Sequence, residues 1–279
     1  MKTIKQGITR KKRGSTWDYF DSRGKRITNP KIIERCDKLV KVAADLKLRG
    51  MPKDKVVALI VKLIDLYHFR VGNDEYARTN KSYGLTTLKE GHMVVDRSRD
   101  AEGKYDAVFE FVGKSGKLWK RRIWEDELVA LIIASGKVGG TSKKQDLFRY
   151  EDEDGTDRDV KANHINEYLD AIIERSEKVT AKDFRTWAAT WKAAHRLSQQ
   201  LDPDTDAARK KVSREVIKTV SSDLGNTPAV CATSYIHPAI LSDWSDGAFR
   251  SRWNQASRGR KVRGLSKEEA ATLNYLSRR

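Results

Sequence analysis

The chain has 279 residues, of which 56 are Lys or Arg and 39 are Asp or Glu, so the formal net charge is +17. Hydrophobic residues make up 38% of the chain, which is enough for a packed core and excludes disorder throughout. The sequence has no run of about 18 apolar residues that would predict a membrane span, and two cysteines are too few for a disulfide framework. These features predict a soluble intracellular protein.

The excess of positive charge predicts a polyanionic partner. Lys and Arg neutralise phosphates and release the counterions condensed on nucleic acid, so a basic protein gains affinity for DNA or RNA of any sequence. The basic residues are densest at residues 10–13 and 250–263. A solvated basic face, or a surface that binds an acidic protein, is the alternative interpretation. Charge alone predicts no chemistry.

The first elements in chain order are predicted to be short strands followed by helices. Residues 16–20 and 25–28 are typical of a strand pair around a turn. Residues 31–48 have a helical pattern, and Pro52 suits the first turn of a second helix. This second helix carries an apolar stripe at steps of three and four residues, formed by Val56, Leu59, Ile60, Leu63, Ile64 and Tyr67.

A small antiparallel sheet is predicted for the middle of the chain. Thr86 and Thr87, together with residues 93–95, are expected to form one strand around a turn. A hairpin follows, with strands at residues 105–112 and 117–124 on either side of a Gly-rich turn.

The second half of the chain is predicted to be mostly helical, over residues 126–136, 160–177, 182–200, 206–224 and 228–241. Gly225 is expected to end the fourth of these helices and Thr227 to cap the fifth, with Pro228 at its first position. Trp187 and Trp191, one helical turn apart, are expected in the core. The whole pattern predicts an α+β fold, in which a small N-terminal β element precedes a mainly helical domain with a short antiparallel sheet.

Two classes of chemistry lack their usual motifs. The sequence has no Gly-x-x-x-x-Gly-Lys-Ser/Thr loop to cradle the phosphates of ATP, so ATP use is not expected. The five histidines are scattered and no acidic cluster is evident, so neither a metal site nor a cofactor is expected. The acidic run at residues 151–154 is expected in a turn, and Cys231 is expected to be a small buried residue.

Five segments with distinctive Arg, Lys, Asn or Tyr residues remain as candidates for chemistry. Taken singly, each has a plain structural interpretation, such as an arginine at a helix end, a solvated lysine in a turn or a packed aromatic ring. The candidates are Arg70 in Arg-Val-Gly-Asn, Lys114 in Val-Gly-Lys-Ser-Gly, Arg185 in Lys-Asp-Phe-Arg-Thr-Trp, Asn226 in Leu-Gly-Asn-Thr-Pro and Tyr235 in Ser-Tyr-Ile-His-Pro.

In this order and with these separations, the five segments resemble those of the type IB DNA topoisomerases, specifically the small bacterial and poxvirus branch. The resemblance runs from about Pro52 to the C-terminus. Tyrosine recombinases share the catalytic domain, but they usually carry His three residues before the second arginine, where this chain has Lys182. The resemblance therefore implies the fold of that shared domain and favours a topoisomerase over a recombinase.

The resemblance also implies a role for each candidate. Tyr235 would attack a backbone phosphorus and form a 3′-phosphotyrosyl bond, and Lys114 would protonate the departing 5′-oxygen. Arg70 and Arg185 would hold the non-bridging oxygens. Asn226 would donate a further hydrogen bond, with no acid–base role because an amide does not titrate. The residues expected to contact DNA outside this set are Lys182, Arg78 and Lys117.

Residues 14–38 resemble only the start of the β-rich N-terminal domain that closes over the duplex in bacterial relatives. We therefore expect a shortened clamp remnant and linker helix at residues 1–48 and a catalytic domain at residues 49–279. The implied function is relaxation of supercoiled duplex DNA by a monomer, in the cytoplasm and associated with the nucleoid, without ATP or a metal and away from any membrane. A tyrosine recombinase, or a DNA-binding protein with a degenerate site, is the alternative.

Overall fold

The computed structural model describes residues 2–4, 8–13, 16–20, 41–96, 106–172, 180–259 and 265–278. The chain divides into two compact units. The central unit is Val40–Phe184, and the terminal unit combines Met1–Leu39 with Arg185–Arg279. Across these described ranges, no helix is both long enough and apolar enough to span a membrane. The domain boundary after residue 48 stays a prediction.

Three short strands near the N-terminus form an antiparallel sheet in the order β1-β2-β3. They are β1 (Lys2–Ile4), β2 (Ile8–Arg13) and β3 (Thr16–Phe20). The predicted strand at residues 16–20 is confirmed, and its neighbour in the sheet is β2, in which Lys11 lies opposite Asp18. The partner predicted at residues 25–28 lies outside the described residues.

The central unit combines helices with two small antiparallel sheets. Its described helices are α1 (residues 41–45), α2 (Lys53–Tyr67), α3 (Asp74–Asn80), α4 (Asp126–Gly136) and α5 (Ala162–Ala171). One sheet has the order β4-β5-β6, formed by β4 (Met93–Asp96), β5 (Asp106–Val112) and β6 (Leu118–Ile123), and the other pairs β7 (Arg149–Glu151) with β8 (Asp157–Asp159). The acidic run at residues 151–154 was predicted in a turn; residues 152–154 do lie in the turn between β7 and β8, whereas Glu151 is the last residue of β7.

Helix α2 forms the centre of the core of this unit. The predicted stripe is confirmed, because its aliphatic residues from Val56 to Ile64 are almost all buried. Each buried Val, Leu or Ile contributes about 1.5–3 kcal/mol relative to an exposed one. The helix ends where His68 adopts a left-handed conformation with φ 60°, and Arg70 follows two residues later. The core helix thus fixes the start of the segment that carries Arg70.

The predicted hairpin of β5 and β6 is confirmed, and its side chains alternate between a buried and an exposed face. Phe111 lies opposite Trp119 in the register, and both are buried with Phe109. The predicted strand at Thr86 and Thr87 is wrong, because these residues belong to a 3₁₀ turn, Leu85–Thr87. The Thr86 hydroxyl donates to the Val71 carbonyl, and the Thr87 hydroxyl bonds the Gly84 backbone. These hydrogen bonds from side chain to backbone override the β propensity of threonine.

The terminal unit is largely helical, with α6 (Ala181–Ser198), α7 (Asp206–Leu224), α8 (Pro228–Ser234), α9 (Pro238–Ser245), α10 (Phe249–Ser257) and α11 (Lys267–Leu276). Helix α6 begins four residues before the boundary between the units. The core of the terminal unit combines small residues of α6, such as Ala189 and Ala193, with larger residues such as Val220 and Trp244. The predicted α+β class, mainly helical with a short antiparallel sheet, is confirmed.

The single helix predicted over residues 228–241 is wrong, because the chain forms α8 and α9 with a break at residues 235–237. Pro238 has no backbone N–H and disfavours a helical conformation at the preceding residue. His237 is accordingly extended, and its Nδ1 accepts a hydrogen bond of 3.2 Å from the Ala239 N–H. His237 thus caps the start of α9, and the break leaves Tyr235 at the end of α8.

The prediction that Trp187 and Trp191 lie in the core is wrong. Both side chains are only half-buried, and Trp187 Nε1 donates to Glu269 Oε1 at 2.8 Å. Helix α6 instead buries its alanines, because small side chains let the neighbouring helices approach closely. Tryptophan at these positions lies at the rim of the core, where its N–H finds a polar partner.

Two arginines of the basic run at residues 250–263 form hydrogen bonds or ion pairs within the fold. Arg250 donates to backbone carbonyls at the end of α6, those of Ser198 and Gln200. Arg252 lies 2.5 Å from the buried carboxylate of Asp243. Both guanidinium groups thus stabilise the terminal unit, whereas residues 260–264 lie outside the described residues.

Candidate active site

Arg185 is a buried arginine whose partners lie at the end of another helix. Its side chain is 4% exposed, although arginine is rarely buried unless it is paired. Nη2 donates to the Leu224 carbonyl at 2.8 Å and lies 3.4 Å from Asn226 Oδ1. Leu224 is the last residue of α7, where free carbonyls and the helix dipole favour a positive charge. The end of α7 therefore holds the guanidinium in one place.

Asn226 is held by the cap of the same helix. Gly225 ends α7 with φ 60°, a left-handed conformation that suits glycine, as predicted. The Asn226 N–H then donates to the Ser221 carbonyl at 2.8 Å, and the Asn226 side chain is buried. Thr227 begins α8 by accepting a hydrogen bond from the Val230 N–H, which confirms the predicted cap. Caps on both sides thus leave Asn226 little freedom.

Tyr235 lies at the C-terminal end of α8 and close to Arg185. Its backbone leaves the helical conformation, with φ −127° and ψ −39°. The ring is half-buried against the core of the terminal unit, and its centroid is 5.7 Å from Arg185 Cζ. The terminal unit therefore brings together three of the five predicted residues: a phenol, a guanidinium and a carboxamide.

Thr190 supports Tyr235 from α6, and sequence reasoning missed this residue. Its buried hydroxyl lies 2.9 Å from the Thr186 carbonyl and 3.2 Å from the Tyr235 carbonyl, so the single hydrogen is shared between these two acceptors. The same oxygen accepts the His237 N–H at 3.0 Å. A threonine inside a helix is common, so its sequence position gives little signal. Helix α6 therefore carries Arg185 and also fixes the backbone around Tyr235.

Cys231 lies one helical turn before Tyr235, and its thiol is fully buried. Burial raises the pKa of this thiol to about 11, because the charged thiolate would lose its hydration. The thiol stays protonated at neutral pH and is therefore a poor nucleophile. The prediction that Cys231 is a small buried residue is confirmed.

Arg70 lies in the central unit, in a segment paired with another stretch of backbone. The Arg70 carbonyl accepts the Leu85 N–H at 2.9 Å, and the Val71 carbonyl accepts the Thr86 N–H at 2.6 Å. The two stretches are so close that a Cβ on Gly84 would lie 2.5 Å from the Gly72 nitrogen. Only glycine fits at position 84. Gly72 and Gly84 together therefore fix the path of the segment that carries Arg70.

Lys114 lies at the tip of the β5–β6 hairpin, in the 3₁₀ turn Lys114–Gly116. The turn is closed by the Gly113 N–H, which donates to the Lys117 carbonyl at 2.8 Å, and Gly116 has φ 70°. Lys114 and Lys117 are both exposed. The central unit therefore carries the other two predicted residues, one on a half-buried segment and one on an exposed tip.

Residues 31–258 match the family model that describes the catalytic core of eukaryotic DNA topoisomerase I. The chain belongs to this family. The DNA topoisomerase 1B of Acanthamoeba polyphaga mimivirus is 29% identical over 191 residues, which are 66% of this chain and 53% of that protein. The chain thus spans about half the length of the curated relative it matches. The resemblance to type IB topoisomerases is confirmed.

The remaining predicted residues of this topoisomerase family member lie on exposed surfaces. Lys182 is exposed in the first turn of α6, and Arg78 is exposed in the last turn of α3. Among the described residues, no group of three or more His, Cys, Asp or Glu side chains could hold a metal ion. In the β7–β8 turn, Asp152 and Asp154 instead pair with Arg158, at 2.7 Å and 3.0 Å.

Proposed function

We propose that this protein relaxes supercoiled duplex DNA by cutting one strand, letting it rotate and rejoining it. The observation that carries the proposal is the packing of the Tyr235 ring 5.7 Å from the buried guanidinium of Arg185, beside Asn226. A nucleophile and two fixed hydrogen-bond donors are what transfer of a phosphoryl group to a side chain requires. Membership of the topoisomerase family supports the same conclusion.

In the proposed cleavage step, the Tyr235 oxygen attacks a phosphorus of the DNA backbone. A bond forms between this oxygen and phosphorus, and the bond between phosphorus and the 5′-oxygen breaks. The products are a 3′-phosphotyrosyl bond and a strand that ends in a 5′-hydroxyl, whose proton comes from Lys114. The proton that the Tyr235 hydroxyl loses passes to water, and water returns a proton to Lys114. The step is reversible because a phenolate, from a group that ionises near pH 10, leaves more readily than an alkoxide.

Arg70 and Arg185 are proposed to bind the non-bridging oxygens of the phosphate. A guanidinium presents two parallel N–H donors to two oxygens and keeps its charge at any physiological pH. The charge on these oxygens grows in the transition state, so cations that are already in place stabilise that state more than the substrate. Asn226 adds a neutral donor. ATP does not enter the proposed step, because the tyrosyl bond conserves the phosphodiester energy. A metal does not enter it either, because the arginines and Lys114 take the place of the metal.

The partner of this reaction is duplex DNA, to which the exposed Lys182, Arg78 and Lys117 are proposed to contribute phosphate contacts. Such contacts position the duplex without reading its sequence. We propose that the protein acts as a monomer in the cytoplasm, associated with the nucleoid.

The test is relaxation of a negatively supercoiled plasmid in EDTA and without ATP, with wild-type protein, Tyr235→Phe and Tyr150→Phe. Tyr150 is a buried tyrosine of the central unit and serves as the matched control. We expect wild-type protein and the control to relax the plasmid and to form a covalent DNA adduct, and Tyr235→Phe to bind DNA and do neither. DNA binding without relaxation by wild-type protein would support the degenerate-site alternative, and strand exchange between duplexes would support the recombinase.

A further inference from the structure

Trp119, on strand β6, belongs to an aromatic cluster in the central unit. Its side chain is 6% exposed, and its ring is stacked with Phe111 at a centroid distance of 6.1 Å. Phe69 lies 6.2 Å away. Phe69 immediately precedes Arg70, and Phe111 lies three residues before Lys114. The cluster therefore joins the two stretches of chain that carry the predicted residues of this unit.

The Trp119 ring also contacts both of these stretches directly. Arg70 Cζ lies 5.7 Å from the ring centroid, within the range of a cation–π interaction. A Cβ added to Gly113 would lie only 2.8 Å from Trp119 Cδ1, so the backbone just before Lys114 rests against the same ring. Arg121 Cζ lies 4.9 Å from the centroid. One side chain thus contacts the Arg70 guanidinium and the base of the Lys114 turn.

We propose that Trp119 is a positioning residue that fixes the Arg70 guanidinium and the Lys114 turn relative to each other. This inference rests on the proposed function, in which both groups act on one phosphate. Trp119 itself touches no reacting atom in this scheme and acts through its two neighbours.

The physical reason lies in the exposure of the hairpin tip. The five residues 113–117, beyond the last strand pair of Val112 with Leu118, are loosely held unless something packs against them, and Lys114 itself is exposed. The indole is large, flat and rigid, so a turn that rests on it has few alternative positions. Glycine at position 113 permits this contact, because any side chain there would collide with the ring. Displacement of a catalytic group by about 1 Å costs on the order of 100-fold in rate.

The experiment compares Trp119→Leu, which loses the flat ring, with Trp119→Phe, which keeps one. Trp124→Leu is the matched control, because Trp124 follows the same strand but is 61% exposed. Two quantities are measured: hydrogen exchange of the Gly113 amide, and the rate of single-turnover cleavage. Cleavage is measured on ordinary DNA and on DNA with sulfur at the 5′-bridging position, which departs without protonation.

We expect Trp119→Leu to speed exchange of the Gly113 amide about 10-fold more than exchange of the Val160 amide, which lies elsewhere in the central unit and bonds the Phe148 carbonyl. Cleavage of ordinary DNA should fall about 10- to 100-fold, with partial recovery on the sulfur substrate. Trp119→Phe and Trp124→Leu should stay within about 3-fold of wild type.

A second comparison uses the contact with Gly113. Gly113→Ala should slow cleavage in the wild-type protein, because the added methyl collides with the Trp119 ring. In the Trp119→Leu background the collision is relieved, so the same substitution should cost several-fold less. Additive losses would show that the contact does not couple the two residues and would overturn the proposal.

The proposal would also be overturned if Trp119→Leu raised the exchange rates of the Gly113 and Val160 amides by the same factor. Trp119 would then stabilise the unit as a whole without fixing the turn. Hydrogen exchange does not depend on chemistry. A wild-type protein that forms no covalent adduct would therefore refute the proposed function, while the exchange data would still decide whether Trp119 fixes the turn.

Discussion

The two units place their predicted residues in opposite settings. In the terminal unit Arg185 and Asn226 are buried, with partners at the C-terminal end of α7. In the central unit Lys114 is exposed on a turn of three residues. Donors that stabilise the charge of the transition state act better when they are buried, because they are already oriented and do not have to rearrange during the reaction. A proton donor has to reach an oxygen that departs, so an accessible tip suits it.

This contrast predicts that substitutions in the two units differ in what they cost. A change at the exposed tip should affect the reaction alone, whereas a change in the buried set should affect the reaction and the stability of the fold. Measuring cleavage and unfolding on the same variants separates the two kinds of effect.

Among variants that keep Tyr235, the largest effect on cleavage is expected for Lys114→Ala. Loss of a general acid should slow cleavage of ordinary DNA about 10²- to 10⁴-fold, and 5′-bridging sulfur should restore most of the rate. The midpoint of urea unfolding should not change, since the side chain is exposed. Lys120→Ala is the control, because Lys120 lies on the same hairpin and pairs with Glu110 at 3.5 Å. Equal defects of Lys114→Ala on both substrates would show that Lys114 only positions the DNA.

Arg185→Lys should slow cleavage about 10²- to 10³-fold, because an ammonium cannot present the paired donors of a guanidinium. It should also lower the free energy of unfolding by about 1–3 kcal/mol, since buried acceptors at the end of α7 lose their donor. Arg196→Lys on the same helix is the control, as its partner is Asp223 at 2.6 Å. The contrast between the units fails if Arg185→Lys cleaves normally, or loses activity with unchanged stability.

Thr190→Val should slow cleavage about 10-fold, because the Tyr235 carbonyl and the His237 N–H lose a hydrogen-bond partner while the volume of the side chain is kept. Thr219→Val provides the comparison, since the exposed Thr219 hydroxyl donates only to the Val216 carbonyl of its own helix. Single-turnover cleavage measures the effect. Equal rates for the two valine variants would show that Thr190 has no influence on Tyr235.

The smallest effect is a pH dependence of stability in the central unit. Burial, with help from neighbouring lysines, lowers the pKa of His92 and of His164. Each Nδ1 accepts a backbone N–H, from Lys89 at 3.1 Å and from Lys161 at 3.2 Å, so each ring has to be neutral. Both histidines bind protons more readily in the unfolded chain, where the pKa is about 6.5. Their contribution is therefore complete above that pH and is lost as the pH falls through the lower value of the folded protein.

We expect acidification from about pH 7.5 to 5.5 to lower the free energy of urea unfolding by about 0.5–1 kcal/mol per histidine. His92→Asn with His164→Asn keeps two acceptors that do not titrate, so this variant should lose less stability over the same range. An identical pH dependence for wild-type protein and variant would exclude these two groups as its source.

The sequence predicts those elements whose pattern is local. The apolar stripe of α2, the hairpin around Lys114, and the caps at Gly225 and Thr227 are fixed by neighbouring residues, and all are found as predicted. The five candidate residues were likewise found from short segments. Their roles stay predictions until the experiments above are done.

Features that depend on packing between distant segments were missed. Thr86 has strand propensity, but its hydroxyl bonds the Val71 carbonyl, which lies 15 residues away in the chain and which only the fold brings near. The contacts of Thr190 with Tyr235 and of Trp119 with Gly113 join residues that no local pattern relates. The break before Pro238 is an exception among the missed features, because a local signal for it exists. Proline alone indicates a break in the helix, but the prediction gave more weight to the apolar pattern.

Helix α6 carries Arg185 and, through Thr190, holds the backbone at Tyr235. Both groups are therefore held by the same helix, and a small translation or rotation of that helix moves both in the same direction. The distance between Arg185 and Tyr235 therefore changes little when the helix moves as a unit. A thermally fluctuating protein can thus keep a distance between two reacting groups without being rigid as a whole.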